Sequence, residues 1–214
     1  MQLSSLSFIH EGAMPDSCAF GKPSASERVA FSDNRNPHLR WHDVPPNTQS
    51  YALLCVDSDV PSRPDDLFRT DREVAADLLR TTFTHWVMVD IPPTVHEIAE
   101  GACAQGVVVG GRRKPQGPAG CRQGLNDYTA WFARDERMRG DYCGYDGPCP
   151  PWNDALVHRY HFRLFALRTP RLNVPDRFTA ADALRAMQGH CLAETSIYAT
   201  YTLNPRLRAA RATP

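Results

Sequence analysis

HRYHFRLFAL, at 158–167, is the stretch that indicates the fold most directly. Apolar and polar side chains alternate along it, with Tyr160, Phe162, Leu164 and Ala166 against Arg159, His161 and Arg163. Because successive side chains of a β-strand point to opposite faces, this alternation predicts a strand with one buried face. The preceding residues 144–151, GYDGPCPP, hold three prolines and two glycines in eight positions, a composition typical of a rigid turn.

Short β-rich runs dominate the rest of the chain. They contain many β-branched and aromatic residues and are bounded by Pro, Gly, Asn or Asp: 51–57, 84–91, 106–109 and 197–203. Only two segments predict helices, 71–80 and 179–195, and in the second Thr179 and Asp182 have the spacing of a capping box. The arginine-rich end, 206–214, predicts a frayed terminus. Many strands and few helices favour an antiparallel β-sandwich over a parallel α/β sheet.

The composition is that of an ordinary globular protein, and we expect one domain over 1–214. The chain has 24 basic and 24 acidic side chains, so no global field attracts nucleic acid. No apolar run approaches the roughly 18 residues of a membrane span. The start, MQLSSLSFIHEG, lacks the features of a secretory signal. Seven irregularly spaced cysteines predict reduced thiols, and these features together predict a cytoplasmic protein.

Four places carry residues that do chemistry in proteins. They are Asp57 with Asp59, His85 with Trp86, GLNDY at 124–128, and the loop 144–151 with His158. Strand alternation would direct both aspartates to one face, and proline with glycine would fix backbone amides beside His158. Each place also has a purely structural explanation, such as a capped turn, a satisfied core histidine or a stiff loop.

Six motifs follow one another along the chain. They are NPHLRW at 36–41, DSDVP at 57–61, HW at 85–86 with DIP at 90–92, GLNDY at 124–128, GPCPP at 147–151 and HRY at 158–160. In this order they resemble the phosphatidylethanolamine-binding protein family, which includes the bacterial Raf kinase inhibitor-like proteins. Two departures stand out: Ser58 replaces a proline between the aspartates, and 62–83 is an inserted segment that carries the candidate helix.

The resemblance implies a mainly β fold, an antiparallel β-sandwich of two sheets with a C-terminal helix and a few short helices. It also implies a small pocket for phosphate-like anions. The residues carried over to that pocket are Asp57, Asp59, His85, His158 and Tyr160, with Gly147, Pro148 and Pro150 in its wall. We therefore expect a non-catalytic binding module without metal or cofactor, which captures a phosphate-containing or other anionic group, regulates a protein partner and forms a homodimer.

Two aspartates in an anion site need compensation, and three arrangements are open. One aspartate keeps a histidine cationic, or is itself protonated, or meets the ammonium of an ethanolamine head group. Three other functions also remain: a hydrolytic enzyme, a metal site in which two histidines and two aspartates suit zinc, and a plain protein-interaction surface. The sequence contains no nucleophile elbow or phosphate-loop signature, which disfavours the enzyme.

Overall fold

Antiparallel strands make up most of the fold, as the sequence predicts. The computed structural model describes residues 1–212. The strands are β1 (Gln2–Ser4), β2 (Gly21–Ser24), β3 (Arg28–Phe31), β4 (Leu39–His42), β5 (Ser50–Pro61), β6 (Arg80–Ile91), β7 (Glu97–Ile98), β8 (Arg122–Gln123), β9 (His158–Leu167) and β10 (Cys191–Tyr201). The helices are α1 (Tyr128–Trp131), α2 (Ala180–Ala186) and α3 (Pro205–Ala212), with a single 3-10 turn at Asp16–Cys18.

A five-stranded sheet with the order β10-β9-β5-β6-β8 forms the centre of the molecule. A three-stranded sheet, β1-β4-β7, and a β2-β3 hairpin accompany it, so the predicted pair of sheets has a small third member. Strand β9 has the predicted limits, 158–167, and pairs with β5 on one side and β10 on the other. Its apolar face is fully buried, which is the reason for the alternation in its sequence.

The core occupies both faces of the central sheet. One face packs against the three-stranded sheet, through side chains such as Trp41, Trp86 and Phe162. The other face packs against α2 and the segment before it, through side chains such as Val87 and Phe178. Burying a large apolar side chain stabilises the fold by about 1.5–3 kcal/mol, so these two layers supply most of the favourable free energy.

Two predicted elements are wrong. The strand predicted at 106–109 is a loop with Val108 and Val109 partly exposed, because Gly106 and Gly110 have positive φ and turn the backbone at both ends. The helix predicted at 71–80 is irregular. There, the Val74 side chain is fully buried, and its backbone N–H donates to the Asn153 carbonyl while its own carbonyl accepts from Ala155. A short isolated helix is marginal, and this backbone pairing replaces it.

Two further predictions are partly wrong. The helix predicted at 179–195 starts with the capping box of Thr179 and Asp182, which is confirmed, but it ends at Ala186. Gly189 follows with φ of 76°, the left-handed conformation that stops a helix, and β10 begins two residues later. The tail predicted to fray forms α3, held by paired hydrogen bonds of 3.0 Å from Arg208 to the Asp16 carboxylate. Residues 213–214 lie outside the described part.

Candidate functional site

Strands β5, β6 and β9 bring four of the predicted site residues to one end of the central sheet. Asp57 on β5 lies opposite Tyr160 on β9, and His158 is the first residue of β9. On β6, Thr84 and Trp86 pair with successive residues of β5, so His85 lies at a register shift. Such an extra residue in a strand re-aims its side chain, and the His85 ring turns towards the same place.

A cavity of about 240 Å³ lies at this end of the sheet. Asp57, His85, His158 and Tyr160 line it, and Pro150 contributes to its wall. Tyr128 and Cys149 also line it. The remaining lining side chains are apolar: Phe20, Phe31, Val60, Pro61, Leu67, Phe68, Phe83, Trp131, Phe132 and Pro151. The structure therefore places a small polar group of side chains at the base of an otherwise apolar cavity.

His158 is held between two carboxylates. Its Nδ1 lies 2.7 Å from Asp57 Oδ2 and its Nε2 lies 3.0 Å from Asp154 Oδ2. Burial acts to lower the pKa of His158, but the two carboxylates outweigh it and raise the pKa to about 9. His158 is therefore an imidazolium whose two N–H groups are both engaged. Of the three arrangements open from sequence, the structure has the aspartate that keeps a histidine cationic.

Asp154 extends this arrangement into a chain of four charged groups. Arg80 at the start of β6 donates to both Asp154 carboxylate oxygens, at 2.6 and 3.1 Å. Asp154 is fully buried, and although burial acts to raise its pKa, the hydrogen bonds from His158 and Arg80 hold that pKa below its ordinary value. Two cations and two anions alternate from Arg80 through Asp154 and His158 to Asp57, so the cluster is neutral overall. We call these four residues the charge cluster.

His85 differs from His158 in both its charge and its hydrogen bonds. Its Nδ1 lies 2.8 Å from the Asp146 carbonyl oxygen, which can only accept, so Nδ1 carries the proton. Its Nε2 has no hydrogen-bond partner within residues 1–212. Burial lowers the pKa of His85, more strongly than the carboxylate of Asp57 raises it. His85 is consequently a neutral imidazole at pH 7 with a free lone pair at the cavity.

Tyr160 provides a second polar atom for the cavity. Its hydroxyl is buried, and no group in the described part of the chain lies in hydrogen-bonding geometry to it. Burial, together with the nearby Asp57 carboxylate, keeps the pKa of Tyr160 well above its ordinary value, so it is a neutral donor. The ring centroids of Tyr160 and His85 are 5.1 Å apart. A buried hydroxyl without a partner costs free energy, which a ligand accepting a hydrogen bond would recover.

Asp59 does not share the site with Asp57. The register of β5 against β6 shifts between Asp57 and Val60, which breaks the alternation on which that expectation rested. The Asp59 carboxylate instead accepts hydrogen bonds from the Arg159 guanidinium at 2.6 and 2.9 Å and from the Arg159 backbone N–H at 2.8 Å. The cavity lining, as far as the structure describes it, does not include Asp59.

The proline loop works as a wall rather than as a set of backbone donors. Gly147 donates its N–H to Asn34 Oδ1 at 2.8 Å, and a Cβ there would collide with the Cys18 carbonyl. The Pro148 carbonyl accepts from Phe20 and Gly21. Gly147 and Pro148 thus fasten the loop from outside the cavity, and prolines have no N–H to offer a ligand.

The motif at 124–128 braces the site from behind. Asn126 donates to the Asp146 carboxylate at 2.9 Å, which helps fix the residue whose carbonyl orients His85. The Tyr128 hydroxyl donates to the Gly147 carbonyl at 2.9 Å. Burial raises the pKa of Asp146 to about 6, and the amides of Asn126 and Asn34 counteract it. This part of the pattern is supporting structure, as its turn-forming residue types also suggest.

Sequence reasoning missed Asp154, Arg80 and the aromatic lining. Asp154 precedes His158 by four residues in a loop, a spacing that has no meaning outside a helix. Arg80 lies at the end of the inserted segment, and its partner is distant in sequence. The one hint of Asp154 in the sequence was the Trp-Asn-Asp run at 152–154, which lengthens the link between the proline loop and β9. Among residues 1–212, no group of three or more His, Cys, Asp or Glu side chains is arranged to hold a metal ion.

Comparison with known proteins identifies the family of this chain. Residues 4–202 match the model of the phosphatidylethanolamine-binding protein family. The chain belongs to that family. It is 33% identical over 168 residues to a UPF0098 protein of Aquifex aeolicus, covering 78% of this chain and 73% of the relative. It is 32% identical to a UPF0098 protein of Methanothermobacter thermautotrophicus, covering 82% and 88% respectively.

Two solved structures of this family have the same fold. The crystal structure of Escherichia coli YbcL matches with a TM-score of 0.65 and 26% identity, covering 94% of this chain and 97% of that one. The crystal structure of the homolog CT736 from Chlamydia trachomatis matches with a TM-score of 0.62 and 26% identity, covering 94% and 95%. No helix in the described residues is long and apolar enough to cross a membrane.

Proposed function

We propose that this chain is a non-catalytic binding module that captures a small phosphate-containing or other anionic group in the 240 Å³ cavity. One observation carries the proposal: His85 Nε2 and the Tyr160 hydroxyl are both without a protein partner at the base of one cavity in the described structure. The Tyr160 hydroxyl is buried, so leaving it without a partner costs free energy that a ligand accepting its hydrogen bond recovers. The same ligand can donate a hydrogen bond to the unpaired His85 Nε2.

The charge balance selects the protonation state of the ligand. The charge cluster is neutral and His85 is uncharged, so the cavity has no surplus cation for a dianion. A monoprotonated phosphate fits better, because its P–OH donates to His85 Nε2 while a second oxygen accepts from Tyr160. The second pKa of a phosphate monoester is about 6, so about half of the ligand has this form at pH 6 and about a tenth at pH 7.

Binding should therefore be linked to pH. A bound anion raises the pKa of His85, and the same proton can reside on the phosphate or on the imidazole. Affinity is then highest at low pH and falls as pH rises from about 6 to 8, since both groups lose that proton. Calorimetric titration of inorganic phosphate across this range measures the effect. Affinity that rises with pH would contradict the assigned protonation states.

Two features support binding without catalysis. Cys149 is the one cysteine in the described cavity lining, and burial raises the pKa of its thiol to about 12, so no thiolate is available as a nucleophile. For a metal-dependent enzyme, the ligand set is unsuitable, because both ring nitrogens of His158 already bond to carboxylates. We also propose that this binding module is cytoplasmic, forms a homodimer and regulates a protein partner. Light scattering in solution tests the dimer.

The decisive test compares two histidines. Titration with inorganic phosphate, phosphorylethanolamine and, separately, zinc is followed by calorimetry for the native protein, His85→Ala and His161→Ala. His161 lies next to Tyr160 on β9 but does not line the cavity, so its variant is the matched control. We expect His85→Ala to weaken phosphate binding at least about tenfold, the effect of a hydrogen bond to a charged group. Unchanged affinity in His85→Ala, or binding of zinc alone, would overturn the proposal.

A further inference from the structure

Three large aromatic side chains stand exposed at the mouth of the cavity. Phe31, Phe68 and Trp131 are 52%, 44% and 47% exposed, and all three line it. They come from β3, the inserted segment and α1, which are far apart in sequence. Exposed aromatic residues gathered from separate segments around a cavity mark a binding surface. We call these three residues the aromatic collar.

The collar is continuous with the polar base of the cavity. Phe68 and Trp131 approach edge to face with ring centroids 6.5 Å apart. Phe31 packs edge to face on Phe20 at 5.6 Å, Phe20 stacks on Tyr128 at 4.6 Å, and Tyr128 meets the His85 ring at 5.5 Å. An unbroken aromatic wall therefore runs from the surface to the imidazole assigned to the ligand.

The inserted segment is held so that Phe68 stays at the mouth. Phe68 has φ of 59°, an uncommon conformation for a bulky residue. Asn153 fixes it: its Oδ1 accepts from the Phe68 N–H at 3.0 Å, and its Nδ2 donates to the Asp66 and Arg72 carbonyls at 2.8 and 3.0 Å. A buried side chain that bonds to several backbone groups of one segment sets the position of that segment.

The cavity has room for more than a phosphate group. Its volume of about 240 Å³ corresponds to roughly eight water molecules at about 30 Å³ each. The only charged groups in the described lining are Asp57 and His158, which are bonded to each other. No free charge is therefore present along the wall to meet a charged substituent on the ligand.

We propose that the aromatic collar is a specificity subsite that binds an uncharged apolar substituent of the ligand, whose phosphate group lies against His85 and Tyr160. This inference rests on the proposed function and narrows it to phosphomonoesters with a short alkyl or aryl group. Phosphorylethanolamine carries an ammonium on its substituent, and cation–π attraction to an exposed aromatic ring contributes only about 0.5–1 kcal/mol. It should therefore bind at most about fivefold more tightly than inorganic phosphate.

The test compares four probes: inorganic phosphate, phosphorylethanolamine, butyl phosphate and phenyl phosphate. We expect butyl or phenyl phosphate to bind at least about tenfold more tightly than inorganic phosphate, the gain from burying roughly 60 Å² of apolar surface. A gain for phenyl phosphate alone indicates an aromatic substituent, and a gain for butyl phosphate alone indicates an aliphatic one such as a lipid monoester carries. Both results support the collar.

Variants separate the collar from the phosphate site. Phe68→Ala and Trp131→Ala should each remove most of the gain while leaving the affinity for inorganic phosphate unchanged. Leu79→Ala is the control, because Leu79 is 75% exposed on the same inserted segment but does not line the cavity.

Equal affinity for all four probes, or an unchanged gain in both collar variants, overturns the collar and leaves the proposed function standing. Absence of binding by every probe, inorganic phosphate included, overturns both.

Discussion

Two histidines at the same end of the central sheet are in opposite states. His158 is surrounded by carboxylates and has both ring nitrogens engaged, whereas His85 has one nitrogen bound to a carbonyl and the other unpaired. Both are buried to a similar extent. The difference shows that burial alone does not define a ligand-binding histidine: a satisfied one stabilises the site, and an unsatisfied one is available to a ligand.

The largest expected effect is the loss of stability when His158 loses one of its two carboxylate partners. Asp154→Ala removes the carboxylate shared by His158 and Arg80, and so leaves the buried His158 imidazolium and the partly buried Arg80 guanidinium underpaired. We expect the free energy of unfolding to fall by about 3–5 kcal/mol, as for other broken buried ion pairs. Urea denaturation measures it. Asp65→Ala is the control, because the Asp65 side chain is 69% exposed and its ion pair with Arg63 is long, at 3.7 Å. That variant should lose less than about 1 kcal/mol. Equal losses would show that the charge cluster has no special role.

The second effect is the pH dependence of stability. Burial acts to lower the pKa of His158, but the carboxylates of Asp57 and Asp154 raise it to about 9 from 6.5. Because the folded pKa is the higher one, this stabilisation is complete below the unfolded value and is lost as pH rises through the folded value. The native protein should lose roughly 3 kcal/mol between pH 6.5 and 9 from this group. Urea denaturation at several pH values measures this loss, and the loss should be smaller in Asp154→Asn. A free energy of unfolding that rises with pH in this window would contradict the account.

The third effect concerns the inserted segment. Asn153→Ala removes the hydrogen bonds that hold residues 66–72 and should cost about 2 kcal/mol. Hydrogen exchange should show that the Phe68 amide loses protection, whereas Thr70→Ala, an exposed change in the same segment, leaves it unchanged. Retained protection in Asn153→Ala would mean that other contacts position Phe68.

The smallest effect on stability is expected at Tyr160, whose hydroxyl lies in the cavity with the unpaired nitrogen of His85. Tyr160→Phe removes a buried hydroxyl without a partner in the described structure, so the free energy of unfolding of the ligand-free protein should rise by about 1 kcal/mol. Phosphate affinity should nevertheless fall about tenfold. Tyr145→Phe reverses the pattern, because the Tyr145 hydroxyl donates to the Cys18 carbonyl at 2.7 Å, away from the cavity lining. It should cost about 1 kcal/mol and leave affinity unchanged. A large loss of stability in Tyr160→Phe would contradict this assignment.

Local patterns in the sequence were sufficient for the elements whose structure is decided locally. The limits of β9 and the cap at Thr179 follow from alternation and from capping chemistry, and both are confirmed. The position of Asp59 could not be predicted, because a register shift between two strands is a property of their pairing. Asp154 and Arg80 were missed for a similar reason, since ion pairs between distant residues leave no periodic signal.

One measurement tests the central claim most directly: long-range ¹H–¹⁵N spectra of the His85 and His158 imidazoles, recorded from pH 6 to 8 with and without inorganic phosphate. We predict that His158 stays doubly protonated throughout and is insensitive to phosphate. We predict that His85 is a neutral Nδ1–H tautomer at pH 7 and that phosphate shifts the Nε2 resonance. A phosphate response at His158 with none at His85 would show that the roles of the two histidines are reversed.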